Sequence, residues 1–206
     1  MAQSGDLLQR RSPPELRTTI LQGDNETTVS TTRRDVEPVA GLDSQAGLLL
    51  AMLDDGTQEW RKELGKVPEE AVAWQPFPQG HSIGALILHI ADVEDFWVRH
   101  VLAGRRRSPE ELQAVLSKET HQYGVRWPTP PQQSLTWYFE QHDRVRTESR
   151  RTVQMLADPE HVGRRGQREF TLRWVLHHVI THEAYHGGQA VLLALQYMRR
   201  EQRPCG

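Results

Sequence analysis

The chain has 206 residues, enough for one good-sized core and one domain, and 25% of them are charged. Its formal net charge of -2 gives no overall basic footprint, so we expect no nucleic-acid partner. The single cysteine, Cys205, excludes an intrachain disulfide and a cysteine-based zinc site, which fits a reducing compartment. Because the start lacks an apolar signal run and no stretch has the length of a membrane span, we expect a cytoplasmic protein without membrane contact.

Residues 1–41 are polar and aperiodic, with few hydrophobic side chains. This composition favours a disordered or loosely attached N-terminal extension, although a short strand or helix lying on the domain is the alternative. Residues 42–203 would then form the folded domain.

The first predicted helix runs from about Asp43 to Leu64. Asp43 or Ser44 can cap its start, and Gly65 with Pro68 ends it. Its apolar stripe consists of Leu48, Leu49, Met52, Leu53, Trp60 and Leu64.

The second predicted helix runs from about Ser82, a natural N-cap, to Ala103. His89 lies at the edge of its core-facing stripe, and Glu94 lies within that stripe. A charged carboxylate there needs an ion-pair or hydrogen-bond partner. The stripe itself consists of Ile83, Ile87, Ile90, Trp97 and Val101.

A long link, residues 104–132, follows the second helix. Ser108 opens a capping box with proline at the first helical position, which predicts a short extra helix. The later part, residues 121–131, carries Tyr123, Trp127 and three prolines. It is either a functional loop or a surface connection with an aromatic anchor.

A third helix is predicted from about Ser134 to Ala157, and a fourth from Phe170–Thr171 to about Arg199. We find no strand-like alternation long enough to build a sheet. The fold class is therefore predicted as all-α, an up-down four-helix bundle with one short extra helix.

Three histidines in the fourth predicted helix, His178, His182 and His186, recur at every fourth residue, and Gln189 falls in the same arc. Four residues advance about 40° round a helix and about 6 Å along it, so the rings stack on one side. Two imidazoles at this spacing can bind one metal ion, whereas three span about 12 Å, too far to reach a single ion. The alternative is a set of hydrogen-bonded core histidines.

Five short motifs follow one another between about Leu42 and Arg200. They are Trp74…Pro76, Ser82-Ile83, Leu88-His89, Glu94…Trp97 and Thr181-His182-Glu183…His186-Gly187-Gly188-Gln189. In order and spacing they resemble the DinB/YfiT-like superfamily, which includes the mycothiol- and bacillithiol-dependent S-transferases. The resemblance implies a four-helix bundle, often a homodimer, that holds a divalent metal with three histidines.

The resemblance implies that His89, His182 and His186 are the metal ligands, one from the second helix and two from the fourth. His178 is then a neighbour of the site and not a ligand. The chain departs from the pattern at Gly187, where many members of the superfamily have arginine. A substrate-binding role of that arginine has no counterpart here.

Residues 182–186 also fit the HExxH signature of zinc peptidases, in which Glu183 would be the general base. That reading needs a third ligand downstream. No histidine follows His186, and the only downstream carboxylate is Glu201, so a peptidase is the less favoured hypothesis.

Three neutral imidazoles leave coordination positions open, as catalytic metal sites do. A zinc or nickel ion there would lower the pKa of a bound thiol or water. We therefore expect a metal-dependent S-transferase that moves mycothiol, bacillithiol or a similar thiol onto an electrophilic small molecule, in detoxification or stress response. Hydrolysis by metal-bound water uses the same site, and a non-catalytic, stress-induced metal-binding bundle is the alternative.

Three further residues are candidates for catalysis. Gln189 can orient a ligand through its amide, and Glu183 can act as a base. Tyr185 either donates a hydrogen bond to the substrate or packs in the core.

Overall fold

The computed structural model describes residues 33–65, 67–108, 127 and 129–201, and the structural statements below concern these residues. The chain divides between Val36 and Glu37 into two compact units, and every element described here belongs to the second. The elements are α1 (Ser44–Leu64), α2 (Glu69–Val72), α3 (Ile83–Asp95) with a π-helical continuation (Phe96–Leu102), α4 (Leu135–Leu156), β1 (Val162–Arg165), β2 (Arg168–Thr171) and α5 (Leu172–Glu201).

The described part of the chain is mainly helical, as predicted. Most of the predicted extension and the short helix expected after Ser108 lie outside the described residues. The boundary at residues 41 and 42 therefore stays a prediction. No helix of the described part is long and apolar enough to cross a lipid bilayer.

The predicted helix starts are confirmed by capping hydrogen bonds at Asp43, Ser82, Ser134 and Thr171. In each case the side-chain oxygen accepts a hydrogen bond from a backbone N–H two or three residues further along. These bonds satisfy backbone donors that a helix start would otherwise leave without a partner.

The four long helices form two pairs, and the two helices of each pair are parallel. α1 and α5 share a direction, because Arg173 hydrogen-bonds to Gln45 near both starts while Trp60 packs on Gly187 further along. α3 and α4 also share a direction. The start of α3 packs against Tyr138 at Gly84, and Glu94 binds Arg146 later in both helices.

The two parallel pairs run opposite to each other. His89 of α3 contacts His182 of α5, whereas Trp97, further along α3, contacts Trp174, which is earlier in α5. The order of directions along the chain is thus up, down, down, up, and the predicted up-down alternation is wrong. Because α3 and α4 are parallel, the end of the π-helical segment and the start of α4 lie at opposite ends of this helix pair. This explains why the link between them is long.

A small two-stranded sheet is the second difference from the prediction. β1 and β2 form an antiparallel hairpin whose register pairs Val162 with Thr171, and its turn contains Gly166 at φ 61°. The strands lack an apolar alternation because the buried position of β1 is Gly163. An added Cβ there would collide with the backbone of Val101, so the hairpin lies directly on the π-helical segment.

The apolar core consists of two clusters along the helices. One surrounds Leu86 and Tyr138 and contains Trp127, and the other surrounds Leu53, Trp97 and Leu176. Several ionisable side chains are buried in the middle of the long helices instead of at their ends. They include His89, Glu94, His142, Arg146, Glu183 and His186.

Candidate metal centre

Three histidines from two antiparallel helices converge at one point. His89 comes from α3, His182 and His186 come from α5, and one ring nitrogen of each lies within 4.8 Å of the others. The Nε2 atoms of His89 and His182 are 2.9 Å apart. Nitrogen ligands about 2.0–2.1 Å from a metal ion lie about 3–3.5 Å from each other. The spacing of this pair is thus close to that of two ligands sharing an ion.

His182 and His186 are held in the neutral form that metal binding requires. Burial, together with the neighbouring rings of His186, His89 and His178, lowers the pKa of His182 to about 2. Burial also lowers the pKa of His186, which is only 7% exposed. His89 is fully buried.

Gln189 sets the tautomer of His186. Its Oε1 accepts a hydrogen bond from Nδ1 of His186 at 2.7 Å, which places the ring proton on Nδ1 and leaves the Nε2 lone pair available. Three converging imidazoles, two of them buried and one half-buried, with one oriented by an amide, fit a divalent transition-metal ion with nitrogen preference, such as zinc or nickel.

His178 lies beside this centre. Its ring stacks on Trp174 with centroids 5.0 Å apart and an interplanar angle of 8°, and its centroid is 6.1 Å from that of His182. Tyr185 is 64% exposed, and its ring lies 4.9 Å from that of His186.

Two aromatic residues near the centre were not assigned to the site from the sequence. Trp127 is buried, and its ring meets the ring of His89 edge to face at 5.5 Å. The ring centroid of His81 lies 4.2 Å from that of Trp127, and a charge on His81 lowers the pKa of His186. The sequence signal was the tryptophan in the proline-rich link, which was compatible with a structural anchor as well as a functional loop.

Glu183 lies in a different buried cluster. Its Oε1 accepts hydrogen bonds from Thr57 at 2.5 Å and from the indole of Trp60 at 2.9 Å, and its Oε2 accepts one from Arg146 at 2.6 Å. These contacts come from α1 and α4 and occupy both carboxylate oxygens. They do not support a general-base role for Glu183.

Arg146 is also the partner that Glu94 requires. Its Nε donates to both oxygens of Glu94 at 2.9 and 3.1 Å. Burial raises the pKa of Glu94, but the charge and hydrogen bonds of Arg146, with help from His142, hold it well below its usual range. Glu94, His142 and Glu183 have the composition of a second metal site, yet the Arg146 guanidinium already supplies the cation that binds both carboxylates.

Comparisons with known proteins bear on the family and the fold of the chain. The model of a family described as Mycothiol-S-transferase matches residues 48–196, which is most of the chain. The crystal structure of an uncharacterised protein from Escherichia coli UTI89 superposes with a TM-score of 0.50 at 14% identity, covering 77% of this chain and 98% of that one. At this identity the likeness concerns the fold alone. No curated protein matches the chain significantly.

Proposed function

We propose that this chain, which belongs to the Mycothiol-S-transferase family, transfers mycothiol or a related low-molecular-weight thiol such as bacillithiol to an electrophilic small molecule. The reaction depends on a divalent ion, zinc or nickel, and serves detoxification. The observation that carries the proposal is the convergence of His89, His182 and His186 from two helices.

The three histidines would hold the ion through their unprotonated nitrogens, and Gln189 keeps His186 in the required tautomer. The chemistry that such an ion would supply is a lower pKa for a thiol bound at a coordination position that the protein leaves open. The Tyr185 phenol is exposed beside His186, where it can donate a hydrogen bond to a substrate.

The transfer needs no oxidant or reductant. The thiol loses its proton to solvent, and the sulfur lone pair forms the new bond to an electrophilic carbon. The leaving group departs with its electron pair, or, in an addition to an activated double bond, the adjacent carbon takes up a proton.

The contacts of Glu183 favour this proposal over the zinc-peptidase alternative. In an HExxH peptidase the glutamate must reach a water at the metal, but here Thr57 and Arg146 bind its two oxygens. A DinB/YfiT-like four-helix bundle that assembles as a homodimer is the architecture we expect to accompany the function.

The test is a conjugation assay with the full chain loaded with zinc or nickel. Mycothiol or bacillithiol is mixed with 1-chloro-2,4-dinitrobenzene, and thioether formation is followed by absorbance. We expect a rate above that without protein, which is lost on chelation and in the His89→Ala variant. If protein with a full complement of metal gives no acceleration with either thiol, the proposal fails and the non-catalytic alternative gains support.

A further inference from the structure

A cavity of about 590 Å³ opens beside the β-hairpin, away from the residues assigned above. Binding sites for small molecules usually have about 300–1,000 Å³, so this space is large enough for a ligand. Its walls are formed by Trp97, Arg165, Gln167, Arg168, Phe170 and Trp174.

The cavity carries positive charge without a carboxylate in its wall. The guanidinium of Arg165 lies 5.0 Å from the ring centre of Phe96 and 5.6 Å from that of Trp97. Neither Arg165 nor Arg168 forms an ion pair with the described residues. Arg164 of the same hairpin, by contrast, is paired with Glu169 at 2.6 Å. The two cavity arginines are thus available to an anionic ligand.

The cavity wall also contains three aromatic side chains. The ring centroid of Phe170 lies 5.1 Å from that of Trp97 and 4.7 Å from that of Trp174. Trp174 is 41% exposed. A flat apolar ligand can therefore stack on a side chain that the fold leaves partly uncovered.

A row of rings joins this wall to the candidate metal centre. Trp174, His178 and His182 follow at four-residue steps on α5, with centroid separations of 5.0 and 6.1 Å. Trp174 and His182 are eight residues apart, which is about 12 Å along a helix. The row becomes more buried towards its far end at His186.

We infer that this cavity binds the electrophilic substrate of the proposed transfer, and that this substrate is an aromatic or conjugated carboxylic acid. The carboxylate binds Arg165 and Arg168, and the flat body lies against the exposed part of Trp174. The inference rests on the proposed function for the reaction, but the class of ligand can be tested without it.

Direct binding of an unreactive acid tests the ligand class. 3-Nitrobenzoate is titrated into the metal-loaded full chain and followed by quenching of tryptophan fluorescence, with 3-nitrobenzamide as the neutral analogue. We expect the acid to bind in preference to the amide. Its Kd should rise by about tenfold or more in the Arg165→Gln/Arg168→Gln variant, because charge-assisted hydrogen bonds are lost.

The control is Arg164→Gln, which removes one positive charge from the same hairpin outside the cavity wall. Its Kd for 3-nitrobenzoate should stay within about twofold of the original value, since exposed charges interact weakly through water. The inference is overturned if the acid does not bind, if the amide binds as well, or if the control weakens binding as much as the double variant.

Kinetics separate this inference from the proposed function. With mycothiol as the thiol, 4-chloro-3-nitrobenzoate is compared with the neutral 1-chloro-2,4-dinitrobenzene. We expect the double variant to raise KM for the acid alone. If KM does not depend on the carboxylate or on the two arginines while transfer occurs, the inference is wrong and the proposed function stands. If the acid binds but no transfer occurs, the proposed function is wrong and the inference stands.

Discussion

Gln189 decides which nitrogen of His186 carries its proton. The Gln189→Ala change removes the acceptor, so the ring loses both its fixed tautomer and its orientation. We expect the affinity for zinc to fall by about 10–100-fold, as measured by competition with a chelating dye. Gln141→Ala, a change on α4, is the control and should leave the affinity unchanged. Equal affinities for the two variants would show that the hydrogen bond does not support the site.

Asp92 links the stability of the fold to pH. It is fully buried, and burial raises its pKa to about 6, although the facing Arg107 opposes the shift and Asp95 adds to it. The folded chain therefore holds the proton more tightly than the unfolded chain. The stabilisation is complete below about pH 4 and is lost as the pH rises through about 6.

Asp92→Asn removes this titration but keeps a polar side chain. As the pH rises from 4.5 to 7, the original chain should lose stability and the variant should not. The difference between their unfolding free energies should therefore change by about 2 kcal/mol in favour of the variant. Urea unfolding at several pH values measures this difference. Parallel stability curves for the two proteins would contradict the assigned pKa shift.

The four-residue spacing predicted that His182 and His186 share a helix face, whereas His89 was assigned only through the family resemblance. A four-residue spacing is local, so it places His182 and His186 on one helix face without knowledge of the fold. The pairing of Glu94 with Arg146 joins residues 52 positions apart, and it depends on how α3 and α4 pack. The edge-to-face contact between the rings of Trp127 and His89 likewise joins residues that are far apart in the sequence.

At the scale of a helix, two adjacent glycines of α5 have opposite surroundings. A Cβ added at Gly187 would lie 2.7 Å from the ring of Trp60, whereas one added at Gly188 meets nothing within 4 Å. Trp60 thus occupies the space into which a side chain at position 187 would point. This accounts for the glycine at position 187, where many members of the superfamily have arginine.

We expect Gly187→Ala to destabilise the fold by about 1–3 kcal/mol through overpacking against Trp60. Gly188→Ala should instead stabilise it by up to about 1 kcal/mol, because alanine is the better helix former. Urea or thermal unfolding measures both changes. A gain of stability at position 187 would show that the packing against Trp60 is loose.

The ends of the long helices were predictable because capping residues lie next to the backbone groups that they satisfy. Helix direction was not, since the apolar stripe of a helix is the same whichever way it runs. The length of the link that begins at residue 104 was the available signal, because the start of a parallel helix lies far from the end of the helix before it. The hairpin escaped prediction because its buried position is Gly163, which has no side chain to reveal it.

On the scale of the whole molecule, Arg146 ties the four long helices together. From α4 its guanidinium donates to Asp54 and Thr57 of α1, Glu94 of α3 and Glu183 of α5. Burial lowers the pKa of Arg146, but the surrounding carboxylates raise it above its usual range, so it stays charged.

Arg146→Met leaves buried carboxylates without their cation and should cost about 3–5 kcal/mol of stability. Arg150→Met is the matched control, because Arg150 also binds Asp54 but is 42% exposed. That change should cost no more than about 1 kcal/mol. Denaturant unfolding of the two variants compares them directly, and equal losses would mean that the buried network adds nothing beyond a surface ion pair.

The metal content of four histidine variants tests the central claim most directly. His89→Ala, His182→Ala, His186→Ala and His178→Ala are purified with zinc or nickel, dialysed, and measured by inductively coupled plasma mass spectrometry. We predict that the first three lose the ion and that His178→Ala retains it, because only the first three rings converge. Loss of the ion in His178→Ala with retention in His89→Ala would place the site wholly on α5 and contradict the account.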